Sequence, residues 1–125
     1  MPIDPTLPYD DNNLFARILR GELPATKVYE DEHALAFNDI FPQAPTHILV
    51  IPKGRYVSWD DFSASASDAE IAGFVRAAGK VARDSRLVAD GYRLLANVGR
   101  HSGQEIPHLH VHIFAGAPLG PMLAR

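Results

Sequence analysis

The stretch His108-Leu109-His110-Val111-His112-Ile113-Phe114 decides how this chain is read. Successive side chains of an extended strand point to opposite faces. The alternation sends His108, His110 and His112 to one side and Leu109, Val111 and Ile113 to the other. The apolar set is branched and suits the covered face of a sheet. The other set gathers half of the chain's six histidines in five residues. A single histidine there would read as a polar residue on a wet face; three in register point to chemistry or ligation.

Spacing limits the choice. Side chains at i and i+2 on a strand lie ~6.6 Å apart, and those at i and i+4 ~13 Å apart. Two neighbouring imidazoles can lean onto one Zn²⁺ at ~2.0–2.1 Å, but three cannot without bending the strand. A zinc site would need a further ligand, for which His47 and His101 are candidates. The other use is an imidazole nucleophile or acid–base group supported by its neighbours. The loop Asn97 to Glu105, which feeds the histidine row, favours this second use. Gly99 and Gly103 permit close backbone approaches, and a turn with free N–H groups can cradle an anion. Asn97, Ser102 and Gln104 add neutral donors, and Arg100 adds a charge. Such a site expects no metal and no cofactor.

A chain of 125 residues with 46% hydrophobic content forms one domain with a real core. Net charge is −3 without a long run of either sign, which argues against a nucleic-acid partner. With no cysteine there are no disulfides, thiolate metal sites or Cys nucleophiles, as suits a cytoplasmic protein. The acidic, Pro-punctuated start is unlike a signal peptide. No apolar run approaches the ~20 residues that span a bilayer, so no membrane is expected.

Residues 1–12 read as a flexible arm, 13–116 as a single domain and 117–125 as a tail, frayed or docked on another subunit. Asn12 or Asn13 caps a helix from Leu14 to Arg20, with Gly21 just beyond it. Val28-Tyr29 and Ala34 to Phe37 form a hairpin whose loop leaves His33 in solvent. His47 to Ile51 is a strand ended by Pro52-Lys53-Gly54, and Ser63 to Ala66 is a small-residue loop. Ser67-Asp68-Ala69-Glu70 has the spacing of a capping box. It opens a helix whose apolar face is Ile71, Phe74, Val75, Ala78, Val81 and Ala82, with Arg76, Lys80 and Arg83 facing out. Tyr92 to Val98 is a strand, and the histidine strand closes the core. The expected class is α+β, an antiparallel sheet with two helices.

Several separated motifs, in order, resemble the histidine-triad (HIT) superfamily, nearest its Hint, or histidine-triad nucleotide-binding, branch. They are Ala36-Phe37-Asn38-Asp39-Ile40, Pro42 to His47, Val50-Ile51-Pro52-Lys53 and Gly103-Gln104 before the triad. The resemblance implies a purine nucleoside phosphoramidase, which cleaves the P–N bond of an AMP-amine. Its alternatives are a dinucleoside-polyphosphate hydrolase and a non-catalytic purine-nucleotide scaffold. It further implies His110 as the nucleophile forming a nucleotidyl-histidine, with His112, Asn97 and Gln104 on the phosphate and His108 and His47 in support. By the same resemblance Asp39 accepts from the ribose hydroxyls, Leu14, Phe15, Ile18, Leu23, Phe37 and Ile40 wall the purine, and the sheet continues across a homodimer. Glu105 stands where familiar animal members carry serine beside the leaving group, and Asn38 where they carry histidine. A carboxylate at Glu105 either favours cationic amines or points to water.

Overall fold

Asn13 caps the first helix: its Oδ1 accepts from the Ala16 N–H at 2.9 Å, while its own amide donates to the Asp10 carbonyl at 2.7 Å. That start turns Phe15 and Ile18 of α1 (Leu14–Leu19) inward. The structure is a computed structural model that describes residues 3–124. Met1, Pro2 and Arg125, at the extremes of the expected arm and tail, lie outside the described residues.

β1 (Lys27–Glu30), β2 (Ala34–Asn38) and β3 (Thr46–Pro52) follow, then α2 (Trp59–Ser65) and α3 (Asp68–Asp84), β4 (Tyr92–Leu95), a 3₁₀ turn (Arg100–Ser102) and β5 (Val111–Ala115). The five strands form one sheet in the order β1-β2-β3-β5-β4. Every neighbouring pair is antiparallel. The expected α+β class and antiparallel sheet are observed, with one helix more than the two expected. α2 begins where Ser58 and Asp61 form a capping box, the spacing that also opens α3 at Ser67 and Glu70. It buries a single apolar side chain, Phe62, so it carries no hydrophobic period to read. The loop expected over Ser63 to Ala66 is instead its last turn and cap.

β2 and β3 alternate between two covered faces. Ala34, Ala36, Ile48 and Val50 join Leu109, Val111 and Ile113 against Phe62 and the Phe74, Ala77, Ala78 and Val81 face of α3. Leu35, Phe37, Leu49 and Ile51 face the other way, onto Phe15 and Ile18 of α1. Val75, expected on the core face of α3, is 55% exposed and lies outside that core.

Both expected long strands are shorter. The histidine strand pairs only from Val111, opposite Val50. Upstream, the Leu109 N–H donates to the Tyr56 carbonyl at 2.8 Å, and the His108 carbonyl accepts from an imidazole, so no ladder can continue. β4 stops at Leu95, opposite His112, and Ala96 to Val98 leave the sheet. The arm expected to be flexible is packed: Tyr9 meets the His108 ring edge-on at 5.5 Å, and Asp11 pairs with Arg55. The tail is tied to β4 at one point, where the Arg93 guanidinium donates to the carbonyls of Gly120 and Pro121. Among the described residues no helix is long and apolar enough to cross a membrane.

His33 is half-buried rather than solvated, and it explains a glycine in the middle of α3. A Cβ built on Gly73 would sit 2.3 Å from the His33 ring and 2.8 Å from its Cβ. Alanine is the better helix former by ~1 kcal/mol, yet Gly73→Ala is expected to destabilise by about 1–3 kcal/mol through overpacking. Denaturant unfolding checks this, and His33→Ala in the same chain should recover most of the loss. An unchanged or raised midpoint for Gly73→Ala alone would contradict the packing.

Candidate active site

Antiparallel register brings His47 and His112 together. His47 is paired with Phe114 and Leu49 with His112, which makes the two histidines diagonal neighbours on one face. His47 Nε2 and His112 Nδ1 are 2.8 Å apart. His112 and Phe114 stack with rings 4° from parallel. His110 lies next along the row, its ring centroid 5.1 Å from that of His112. The edge of Phe15 closes on it from α1 at 5.0 Å.

Hydrogen bonds settle where each proton sits. The Pro52 carbonyl can only accept, so His108 Nε2, 2.8 Å away, carries the hydrogen. His108 Nδ1 is then an acceptor and receives the Tyr9 hydroxyl at 2.5 Å. The His108 carbonyl, 2.8 Å from His110 Nδ1, places a hydrogen on that nitrogen. The remaining nitrogen of neutral His110, Nε2, therefore holds a lone pair. The Gln43 N–H donates to His47 Nδ1 at 3.1 Å, which puts the His47 hydrogen on Nε2, toward His112 Nδ1. That leaves His112 Nε2 as an N–H. Backbone groups thus select one nucleophilic nitrogen on His110 and one donor on His112.

These two rings line a polar cavity of about 130 Å³ together with Phe15, Asp39, Gln43, Leu49, Asn97, Gly103, Glu105 and Ile106. A second, apolar cavity of about 310 Å³ adjoins it, lined by Leu14, Phe15, Ile18, Phe37, Ile40 and Phe41 among others. Asp39, Glu105, Phe15, Leu49 and Ile106 border both. Asp39 is held by the Phe41 N–H on Oδ1 at 2.8 Å, and its Oδ2 is 3.4 Å from His47 Nε2.

Most residues singled out in the sequence converge here, with some corrections. Gln104 is buried away from the cavity: Nε2 donates to the Val57 and Ile106 carbonyls, and Oε1 accepts from the Gly99 N–H. All its amide hydrogens are committed to bracing the loop, so it does not serve as the expected phosphate donor. Ser102 likewise donates to the Gly99 carbonyl, and Arg100 lies on the far side with Ile3, Asp4 and Pro5. His101 and Leu23 line neither cavity. His47 and His108 stand behind His112 and His110 rather than in the wall. Sequence reasoning missed Pro24, Ala25, Phe41 and Ile106 in the apolar wall, Gln43 in the polar one, and Tyr9 behind His108. Ile106, two residues before the triad, had a positional signal; Gln43 acts through its main chain, which no residue pattern announces.

Asp39, His47 and His112 offer ligand atoms within 4.8 Å of one another, the one cluster of metal-binding side chains among the described residues. They do not fit a metal. The Gln43 N–H occupies the His47 Nδ1 lone pair, so the nitrogen facing His112 and Asp39 bears a hydrogen and has no pair to donate.

Burial keeps the row uncharged. Desolvation lowers His108 and His112 from 6.5 to about 4 and lowers His110 and His47 in the same direction. The unfolded chain takes up these protons near 6.5 and the folded chain does not. Stability is therefore full above that pH and falls as pH drops from 6.5 toward 4. For buried His108 alone the expected slope is about 1.4 kcal/mol per pH unit. Urea unfolding between pH 7.5 and 5 should show it, and His108→Gln should make the slope shallower. A stability that stays level over that range would contradict neutral buried histidines.

The geometry agrees with what the chain is similar to. The HIT domain family pattern matches residues 20–119. An uncharacterised HIT-like protein of Azospirillum brasilense is 65% identical over 94% of this chain and 96% of its own length. The purine nucleoside phosphoramidase of Escherichia coli K12 is 45% identical over 92% of this chain and 96% of its own. Among solved structures, a HIT family hydrolase from Clostridium thermocellum superimposes with a TM-score of 0.82 at 39% identity, over 92% of this chain and 99% of that one. With a family match over most of its length and relatives this close, the chain belongs to the HIT domain family.

Proposed function

We propose that this protein hydrolyses the P–N bond of purine nucleoside 5′-phosphoramidates, with His110 as the nucleophile. One observation carries the reading. A neutral imidazole lone pair and an imidazole N–H face one small cavity that opens, past a carboxylate, into an apolar one. The apolar cavity takes the purine against Phe15, Ile18, Phe37 and Ile40. Asp39 at the seam accepts from the ribose hydroxyls, and the polar cavity takes the α-phosphate. His110 Nε2 attacks phosphorus, and the bond to the amine breaks as that nitrogen gains a proton. The imidazole, now bonded at both nitrogens, is positive, and the His108 carbonyl stabilises it through Nδ1–H. His112 Nε2–H and the Asn97 amide hold the phosphoryl oxygens, with Gly103 bordering them and its own N–H kept by the Arg100 carbonyl; positioning of this kind is most of what phosphoryl transfer asks of a protein. Water then displaces His110 and releases the nucleotide. The name of the Escherichia coli relative supports the same reaction class.

Charge separates this reaction from cleavage of a dinucleoside polyphosphate. The residues lining the polar cavity include two carboxylates, Asp39 and Glu105, and no Lys or Arg. A phosphoramidate diester-like group brings one negative charge, whereas a polyphosphate chain brings several that nothing in this lining would neutralise. Glu105 borders both cavities and favours amines that carry a positive charge.

The active form is proposed to be a homodimer. β4 is an edge strand, and beside it lies an apolar groove of about 610 Å³ that includes Trp59, Val75, Leu94 and Val98. Val75 and Leu94 are both more than half exposed, as a face that pairs with a second copy would be. The domain boundaries at residues 12 and 116 are proposed from the same reading.

His110→Asn is expected to lower turnover of an AMP-amine at least about a thousandfold while AMP still binds. Brief mixing of wild type with substrate should give a nucleotidylated peptide that contains His110. Residual activity near wild type, or label on another residue, overturns the nucleophile. A wild type faster on dinucleoside polyphosphates overturns the substrate class, and one that binds AMP but turns over neither is the scaffold. Leu94→Glu should convert a dimer to a monomer in light scattering; a wild type already monomeric at micromolar concentration contradicts the assembly.

A further inference from the structure

The N-terminal segment reaches the reactive histidine through one intermediary. Tyr9 is half-buried, and its hydroxyl donates to His108 Nδ1 at 2.5 Å while its ring stands edge-on to the His108 ring at 69°. His108 has no exposed surface and its other nitrogen is bonded to Pro52, so Tyr9 completes its partners. The outer face of Tyr9 is covered in turn. The Arg55 guanidinium lies 5.3 Å from the ring centroid. Arg55, between β3 and α2, also grips Asp11 with two hydrogen bonds of 2.8 and 2.9 Å. Residues 9–11 are thus clamped to the loop that follows β3, with His108 underneath.

The chemical consequence lies one peptide further on. The His108 carbonyl is the group that holds the hydrogen of His110 on Nδ1 and so leaves Nε2 free to attack. This carbonyl belongs to no strand ladder, because β5 begins only at Val111. Its direction depends on what fixes residue 108. The neighbouring Leu109 N–H on Tyr56 fixes one side, and the His108 ring, pinned between Pro52 and Tyr9, fixes the other. We propose that Tyr9 is a positioning residue for the reaction: with Arg55 and Asp11 it straps the N-terminal segment over His108 and thereby holds His110 in the attacking tautomer. The proposal rests on His110 being the nucleophile.

Tyr9 keeps its proton for this task, since burial raises its phenol above the ordinary value. The groups facing it are Asn13 and Asp11 from its own segment, Arg55 from the β3–α2 loop, Arg20 from the end of α1, and His108 beneath. It borders neither cavity, so it has no direct route to substrate affinity.

Tyr9→Phe removes the hydroxyl and keeps the ring. In the full-length variant we expect kcat on an AMP-amine to fall roughly tenfold with KM unchanged, as for loss of a group that orients a reacting one. Nitrogen-15 spectra of the imidazoles should show His110 moving from a single Nδ1–H tautomer to a mixture, with the signals of α3 unmoved. Arg55→Ala, which loosens the clamp and retains the hydroxyl, should shift both readouts the same way by less. A folded Tyr9→Phe with wild-type kcat and an unchanged His110 tautomer overturns the proposal, as does a KM effect alone. If Tyr9→Phe does not fold, Arg55→Ala decides by the same two readouts. The tautomer signal needs no substrate: if wild type fails to turn over AMP-amines, the reaction fails while the strap is still judged on the spectrum.

Discussion

One hydrogen bond organises the rest, the 2.8 Å contact from His110 Nδ1–H to the His108 carbonyl. A free imidazole places its proton on either nitrogen, and only one choice leaves the lone pair facing the cavity. A neutral hydrogen bond contributes about 1 kcal/mol net in water, but here it lies in a buried site, where choosing the other tautomer would set two lone pairs against each other. Using this carbonyl takes it out of the sheet. The main chain at 108–110 therefore cannot pair with β3, and it is held instead by Tyr56, Pro52 and Tyr9. The tautomer of His110 and the shortness of β5 share one cause.

A second chain of bonds serves His112. From the Gln43 N–H through His47 it ends in a donor at His112 Nε2, so the pair of rings meets the cavity with complementary nitrogens. Both depend on the rings staying neutral, and desolvation does this for all four histidines. A charged row would repel itself at these distances and would have no lone pair to offer. Under the proposed reaction positive charge develops only when phosphorus is attached, and the cavity's two carboxylates then attract it. A site with lysines or arginines would bind an anion more tightly in the ground state and gain less on the way to the intermediate.

Much of this was legible in the residues. Alternation in 108–114 separated Leu109, Val111 and Ile113 from the histidines, and the structure keeps that separation even where no ladder forms. The hairpin, the Asn13 cap and the Ser67 capping box were local signals, and local signals survive because they act through neighbours in sequence. What could not be read came from long-range contacts. Tyr9 sits 99 residues from His108, and nothing in an acidic, Pro-rich segment marks one tyrosine as a hydrogen-bond donor to the core. Gln104 was misread for a related reason: a glutamine in a glycine-containing loop is equally a donor to a ligand or to its own turn, and three carbonyl and N–H partners decided it. Phe41 stands on the lip of the apolar cavity largely exposed, so no burial pattern distinguishes it from a surface residue. The helix α2 escaped because a seven-residue helix with one buried side chain has no period.

The two faces of the sheet also tie stability to chemistry. On β5 the residues between the histidines, Val111 and Ile113, pack under α3, and their partners Val50 and Ile48 lie on the same face. A slip of one residue along β3 would turn the imidazoles into that apolar layer and the branched side chains out toward α1. The core therefore enforces the register, and the register aligns His47 with His112. Phe15 works from the other side, packing on Phe37 at 5.5 Å while closing on His110. The residues that hold the domain together thus also set where the imidazole nitrogens lie, which is how a domain of this size keeps four packed histidines neutral, His47, His108 and His110 buried and His112 half-buried.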